Sequence, residues 1–287
     1  MNVVGLDVPA SAAAKMKPMS SVANLSERVA VVTGGGRGLG RAMALGLARA
    51  RCRVVITAAR EAREIEAVAV EAGEGRVVAL TADVTRPDDC ARVVDATLTK
   101  FGRLDISVNN AGRGMKYVSA KFLTEPTRFW EMEPDTFRMV IDTNVNGPFL
   151  MARAAVPAML RAGWGRIMNV SMNRETMRRA GFSPYGPSKA ALESETVIWA
   201  QDLAGTGVTV NAILPGGATL TGMIPDSVSE QVRASLLAPE VMVAPLLWLA
   251  SPASDGVTGK RVVANRWGGG GDKPRAEAIE DAGWGPA

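Results

Sequence analysis

The stretch Thr33-Gly34-Gly35-Gly36-Arg37-Gly38-Leu39-Gly40 follows an apolar run, Val29-Ala30-Val31-Val32, and leads into a helix-forming run from Ala42 to Ala50. A glycine-rich turn between a buried strand and a helix admits few folds. The glycines allow positive φ and the close approach of a bulky anion, while the helix start presents unpaired N–H groups with partial positive charge. The same glycines elsewhere would be a tight connection; after the first buried strand they read as a pyrophosphate cradle. Gly34, Gly36, Arg37, Gly38, Leu39 and Gly40 are therefore candidates for binding a dinucleotide.

The unit then recurs. Val54-Val55-Ile56 precedes a charged helix from Glu61 to Ala72, Val77 to Leu80 precedes a helix starting near Pro87, and Leu104 to Val108 forms the next strand. Further on, the pattern predicts a long helix around Pro134 to Arg161, a strand at Arg166 to Val170 and a helix from Pro184 to Leu203. A strand at Val208 to Ile213, a helix near Pro239 to Ala250 and a strand at Arg261 to Ala264 complete the series. Such alternation implies an α/β fold, a Rossmann-type doubly wound parallel sheet with helices on both faces. No linker or internal repeat divides the chain, so residues 25–267 are expected to form a single domain. Residues 1–24 and the Gly-rich tail 268–287 are expected to be poorly ordered extensions.

Composition narrows the function classes. The net charge of +4 is spread along the chain without a Lys/Arg block, so no nucleic-acid partner is expected. No run of 18 apolar residues occurs and the first 24 residues lack a continuous apolar core, which points to a cytoplasmic protein with no membrane span. Cys52 and Cys90 are far apart and lack CxxC spacing; they are expected to be reduced thiols, with no metal bound. The chain has no histidine, so proton transfer near neutral pH must fall to a group whose pKa is moved by its surroundings.

Tyr185-Gly186-Pro187-Ser188-Lys189 supplies such a group. Four residues apart at the start of a helix, Tyr185 and Lys189 share one face, and an ammonium together with the charge of oxidised nicotinamide favours phenolate. The cofactor type is read at the end of the second strand, where an acid bonds the ribose 2′-OH and a base accommodates a 2′-phosphate. That position reads Thr57-Ala58-Ala59-Arg60, without an acid, so Arg60 and Arg37 favour NADP over NAD.

From about Glu27 to Trp267 the chain resembles the short-chain dehydrogenase/reductase (SDR) family. The resemblance rests on motifs in order: the glycine turn, Asp83 after the third strand, Asn109-Asn110-Ala111-Gly112 after the fourth, Asn144 within a helix, Tyr185-x-x-Ser188-Lys189, and Pro215-Gly216 after the sixth strand. It implies an oxidoreductase that interconverts a carbonyl and a secondary alcohol by hydride transfer. It further implies that Asp83, with Val84, lies near the adenine, that Asn110, Ala111 and Gly112 line the cleft with Pro215 and Gly216, and that Lys189 holds the nicotinamide ribose. Tyr185 would exchange a proton with the substrate oxygen, and Asn144 would hold a water linking Lys189 to solvent. A second Tyr-x-x-x-Lys, Tyr117 to Lys121, has no strand feeding it into the cleft and is set aside.

One departure stands out. Where the family places a catalytic serine, thirteen residues before the tyrosine, this chain has Met172. Ser171 is the first candidate to replace it, if the intervening loop carries one extra residue or the strand end is bulged; otherwise alternation turns it to the other side. Asn173 and Thr176 are further candidates, and the absence of any side-chain donor is left open. The segment between Gly112 and Asn144, with Met115, Tyr117, Phe122, Phe129, Trp130 and Met132, is expected to be a lid or wall, joined by Met177, Phe182 and residues 217–225. Pocket composition points to a partly apolar carbonyl/alcohol substrate, and the family resemblance implies a homodimer or homotetramer. Met172 also keeps two alternatives in view: a non-redox relative performing elimination or isomerisation, and a nucleotide-binding module with impaired catalysis.

Overall fold

A computed structural model describes residues 24–73, 75–268 and 274–283. Eight strands form one sheet in the order β3-β2-β1-β4-β5-β6-β7-β8. They are β1 (Val29–Thr33), β2 (Arg53–Ala58), β3 (Val77–Thr81), β4 (Ile106–Asn109), β5 (Gly165–Val170), β6 (Val208–Leu214), β7 (Lys260–Val263) and β8 (Ile279–Asp281). The first seven are parallel and only β8 runs antiparallel, against β7. The order reverses direction between β1 and β4, and a cleft opens at the carboxyl ends of parallel strands at such a switch point.

Strand burial explains the double layer. Along β1, Ala30 and Val32 enter one apolar cluster and Val31 the other; along β2, Val54 and Ile56 part from Val55 in the same way. With both faces buried, the strands need continuous runs of β-branched and small residues rather than polar alternation. The first cluster is closed by α1 (Gly38–Arg49) and the second by α3 (Pro87–Phe101) and α5 (Gly147–Ala162). Between these helices in the chain lie α2 (Ala62–Ala72) and α4 (Pro134–Ile141).

Two expectations are corrected. The long helix around Pro134 to Arg161 is broken by a π turn, Asp142–Asn146, that separates α4 from α5. The expected tail 268–287 is in part built into the sheet: residues 279–281 pair with β7, and Ala278 and Ala282 are buried. The physical reason is cross-strand charge matching, with Lys260 opposite Asp281 and Arg261 opposite Glu280. The proposed extension over residues 1–24 lies outside the described residues except for Asn24.

Among the described residues, no helix is long and apolar enough to cross a membrane, and no group of His, Cys, Asp and Glu is placed to hold a metal ion. Cys52 and Cys90 are both free and buried. Burial pushes the Cys90 thiol up to about 11 and that of Cys52 higher still.

Candidate active site

A cavity of ≈ 620 Å³ runs along the carboxyl edge of the sheet, from Arg60 and Asp83 at one end to Tyr185 and Lys189 at the other. Its floor is the glycine turn. Gly34 and Gly38 take φ of +65° and +53°, which only glycine adopts without strain. At Gly40 the limit is space: a Cβ there would stand 2.1 Å from the Gly34 carbonyl oxygen. Asn110 fastens the turn from the β4 side, its Nδ2 donating to the Thr33 and Gly34 carbonyls at 2.9 and 3.0 Å. The Thr33 hydroxyl accepts the amides of Asn110 and Ala111, both at 3.0 Å.

The turn suits an anion. Helix α1 has no acidic residue in its first turn and no side-chain cap, so its leading N–H groups are not satisfied from within by a carboxylate or hydroxyl. At the far end Asp83 uses Oδ1 to accept from the amide and hydroxyl of Thr85, at 2.9 and 2.8 Å. Arg60 is exposed there, and Arg37 lies 3.4 Å from Glu64. Glycine turn, uncapped helix, Asp83 and two arginines lie along one cavity, and the turn and the arginines suit the anionic phosphates of a nicotinamide dinucleotide.

At the other end, Tyr185 and Lys189 occupy the first turns of α7 (Tyr185–Asp202), whose predecessor α6 (Arg174–Met177) is a single turn. Lys189 Nζ donates to the carbonyl of Val170, the last residue of β5, at 2.7 Å. Burial brings its ammonium down to about 8, partly offset by Glu193 one turn on. Burial also pushes the Tyr185 phenol up to about 12. Desolvation is the main cause of both shifts, and the amine is directed to Val170. Met223 places its sulfur 4.0 Å from the Tyr185 hydroxyl.

Asn144 sits in the π turn, fully buried behind the cavity wall. Its Oδ1 accepts from the Arg113 amide at 2.8 Å, and its Nδ2 donates to the Arg113 carbonyl at 3.0 Å and to Ser188 Oγ at 2.9 Å. Ser188 in turn donates to the Tyr185 carbonyl at 2.7 Å. One side chain therefore joins the segment after β4 to the helix of Tyr185. The extra residue of the π turn breaks the regular ladder at this point.

Ser171, just past β5, lines the cavity beside Met172, Asn173 and Thr176, and its hydroxyl donates to the buried Glu193 Oε1 at 2.6 Å. Met172 packs, as Tyr185 does, against the cluster of Met115, Phe122 and Phe182. Gly216 is displaced from the cavity lining: its φ of +85° forms the turn after β6, and its carbonyl accepts from Asn173 and Asn265 at 3.2 and 3.0 Å. Gly34, Gly36, Arg37, Gly38, Leu39, Gly40, Arg60, Asp83, Val84, Asn110, Ala111, Gly112, Pro215, Tyr185 and Lys189 all line the cavity.

The substrate side divides. Met115, Tyr117, Phe122, Phe182 and Met223 line the cavity together with Asn173 and Thr176, whereas Phe129 and Trp130 are 72% and 68% exposed and stand outside it. Tyr117 lies at the rim with the Arg113 guanidinium 5.0 Å from its ring, and Lys121 pairs outward with Glu125. Thr33 and Met223 lie inside stretches the sequence marks, the glycine turn and residues 217–225, but the spacing does not single out the contact that either side chain makes.

Comparison with known proteins agrees with this geometry. The family described as short chain dehydrogenase matches residues 28–232. A 3-oxoacyl-[acyl-carrier-protein] reductase of Synechocystis sp. is 34% identical over 67% of this chain and 74% of its own length. An acetoacetyl-CoA reductase of Allochromatium vinosum is 32% identical over 83% of this chain and 97% of its own. Among solved structures, 3-ketoacyl-(acyl-carrier-protein) reductase from Brucella melitensis, complexed with NADH, superposes with a TM-score of 0.71 at 31% identity, covering 80% of this chain and 93% of that one. With a dinucleotide-shaped cavity ending at a tyrosine and a lysine, and with these relatives, the chain belongs to the short-chain dehydrogenase/reductase family and is a nicotinamide-dependent carbonyl/alcohol oxidoreductase.

Proposed function

We propose that the protein is an NADP(H)-dependent reductase of a partly apolar ketone, with Tyr185 as the general acid. The observation that carries this reading is that one cavity holds Arg60, the glycine turn, Tyr185 and Lys189 in succession. The nicotinamide supplies the hydride when bound. Tyr185 gives its proton to the carbonyl oxygen, Lys189 orients the ribose and replaces the charge lost from the phenol, and Asn144 fixes the helix that carries both. Ser171, Asn173 and Thr176, which line the same wall, are the candidates to donate a hydrogen bond to the substrate oxygen where this chain has Met172. The apolar groups at the mouth favour a ketone with hydrocarbon bulk. A 3-oxoacyl thioester satisfies that description, and the relatives named above act on such compounds.

The test follows NADPH absorbance against acetoacetyl-CoA, cyclic ketones and aryl ketones. Oxidation of NADPH with formation of the alcohol supports the proposal. Product without net change of cofactor indicates elimination or isomerisation, and binding of NADPH without any product indicates a nucleotide-binding module.

Cofactor preference has its own test. Arg60→Ala and Arg37→Ala should each weaken NADPH binding by roughly 10- to 100-fold, the worth of a charge-assisted hydrogen bond, and leave NADH nearly unaffected. Titration of cofactor fluorescence measures both, and equal losses for the two cofactors would remove the arginines from 2′-phosphate recognition.

The pH profile follows from the buried Lys189 and the half-buried Tyr185. Tyr185, raised to about 12, carries its proton throughout the working range and serves as acid without prior titration. Lys189, lowered to about 8, keeps its charge below that pH and loses it above. Ketone reduction should therefore be fastest below pH 8 and decline above it, while alcohol oxidation, which needs the phenolate, rises with pH. Initial rates in both directions between pH 6 and 10 check this, and parallel profiles would contradict it.

A further inference from the structure

Four consecutive residues after β5 are each held by a different part of the protein. Ser171 Oγ donates to Glu193 on α7, and the Met172 carbonyl accepts from Arg261 Nη2 on β7 at 2.8 Å. Asn173 Nδ2 donates to Gly216 after β6, and Arg174 Nη2 donates to the carbonyls of Asp281 and Gly283, at 2.6 and 3.0 Å, on and just after β8. This is the loop whose Met172 packs on the same cluster of Met115, Phe122 and Phe182 as Tyr185, and whose Asn173 and Thr176 line the cavity.

Arg261 is the centre of this arrangement. Its side chain is 4% exposed, and a guanidinium so deeply buried is costly unless it is paired. Its Nη2 donates to Met172 O at 2.8 Å and its Nη1 to Glu280 Oε2 at 3.2 Å, while Nε, which makes no hydrogen bond, pairs by charge with Glu193 Oε1 at 3.3 Å. Glu193 is 3% exposed and is also the partner of Ser171; Glu280, 28% exposed, is braced further by Arg174 and Arg266. Past Ser171, whose amide still bonds the Ile213 carbonyl at 2.9 Å, the chain leaves the sheet ladder, and the Arg261 fork takes over the backbone at the next residue. Both β7 and β8 lie beyond residues 28–232, the portion that matches the family.

We propose that Arg261, fixed by Glu193 beneath it and by Glu280 of the C-terminal strand, is a positioning residue that sets the loop 171–176 against Tyr185. The proposal rests on the reading of the cavity as a ketone site, and it assigns to β8 a part in the reaction although β8 itself touches neither reactant. A planar fork with directed donors is what the geometry uses, so a lysine at 261 keeps the charge and loses the function.

The test uses the full chain with Glu280→Gln, which leaves the Arg261–Glu193 pair intact, and Arg261→Lys. Hydrogen exchange of the segment 171–178 is read in each, including the Met177 amide bonded to the Asn173 carbonyl at 3.0 Å. Exchange there should quicken at least about tenfold in Glu280→Gln and further in Arg261→Lys, while β1 and α1 keep their wild-type rates and NADPH affinity is retained. With acetoacetyl-CoA as the probe, kcat should fall in the same order without a matching change in the KM for NADPH. Unchanged exchange in 171–178, faster exchange throughout the chain, or a loosened loop with undiminished kcat each overturns the proposal. Should the wild type reduce neither acetoacetyl-CoA nor any other ketone of the panel, the functional reading fails, and the exchange measurement alone decides whether Arg261 holds the loop.

Discussion

Replacing Tyr185 by Phe is expected to lower the rate of ketone reduction by about 10²- to 10⁴-fold, the range for loss of a positioned general acid. The ring stays in its packing against Met115, Phe122 and Phe182, since only the hydroxyl is removed. The hydroxyl is also one whose proton burial holds to about 12, so its removal relieves no charge. NADPH binding, governed by the glycine turn at the other end of the cavity, should survive. Single-turnover rates with saturating NADPH, alongside fluorescence titration of the cofactor, measure the two effects separately. Undiminished reduction by Tyr185→Phe would take the tyrosine out of the chemistry, and joint loss of binding and rate would make its role structural.

The second large effect is expected at Gly40. An alanine there drives its methyl group to 2.1 Å from the Gly34 carbonyl oxygen and 2.5 Å from Asn110 Nδ2. Neither neighbour yields easily, because the first is backbone and the second is already bonded to Thr33 and Gly34. Overpacking of this kind costs about 1–3 kcal/mol, which applied to the shape of the turn is roughly a 10- to 100-fold loss of NADPH affinity. Melting temperature measured with and without NADPH distinguishes a spoiled turn from a spoiled fold: the cofactor-induced rise should shrink more than the baseline falls. An unchanged rise would show that the turn relaxes around the methyl group without consequence for the nucleotide.

Much of the architecture could be read from runs such as Val29–Val32 and Val54–Ile56, because strands buried on both faces must be apolar throughout and helices between parallel strands must be amphipathic. The two structural surprises have a common origin. A π turn at Asp142–Asn146 comes from the way Asn144 is drawn to Arg113 and Ser188, partners 31 and 44 residues away in the chain. The strand Ile279–Asp281 is too short and polar to announce itself, and forms because Lys260 and Arg261 await it. Both depend on pairings between distant residues, which periodicity does not record.

The same distinction runs through the site. The glycine turn and the Tyr185–Lys189 pair are local patterns, visible as spacings. Ser171 is a candidate on its nearness to the expected position and lines the cavity, while the buried carboxylate of Glu193 that accepts its hydroxyl is not legible in the spacing. The Tyr185–Lys189 pair shows in the sequence, whereas the desolvation that raises the one and lowers the other comes from the packing of distant segments and does not. Gly216 reads as a lining residue by motif, whereas its carbonyl anchors two asparagines.

Nucleotide and ketone draw on different parts of this framework. The residues proposed to hold the cofactor sit on strand ends and the turn pinned by Asn110, while the far wall is assembled from three excursions, after β4, β5 and β6. Chimaeras that exchange those excursions should acquire the donor's range of ketones and keep the recipient's taste for nicotinamide. The second excursion would transplant poorly by itself, for its fastening belongs to strands near the carboxyl terminus that must travel with the graft.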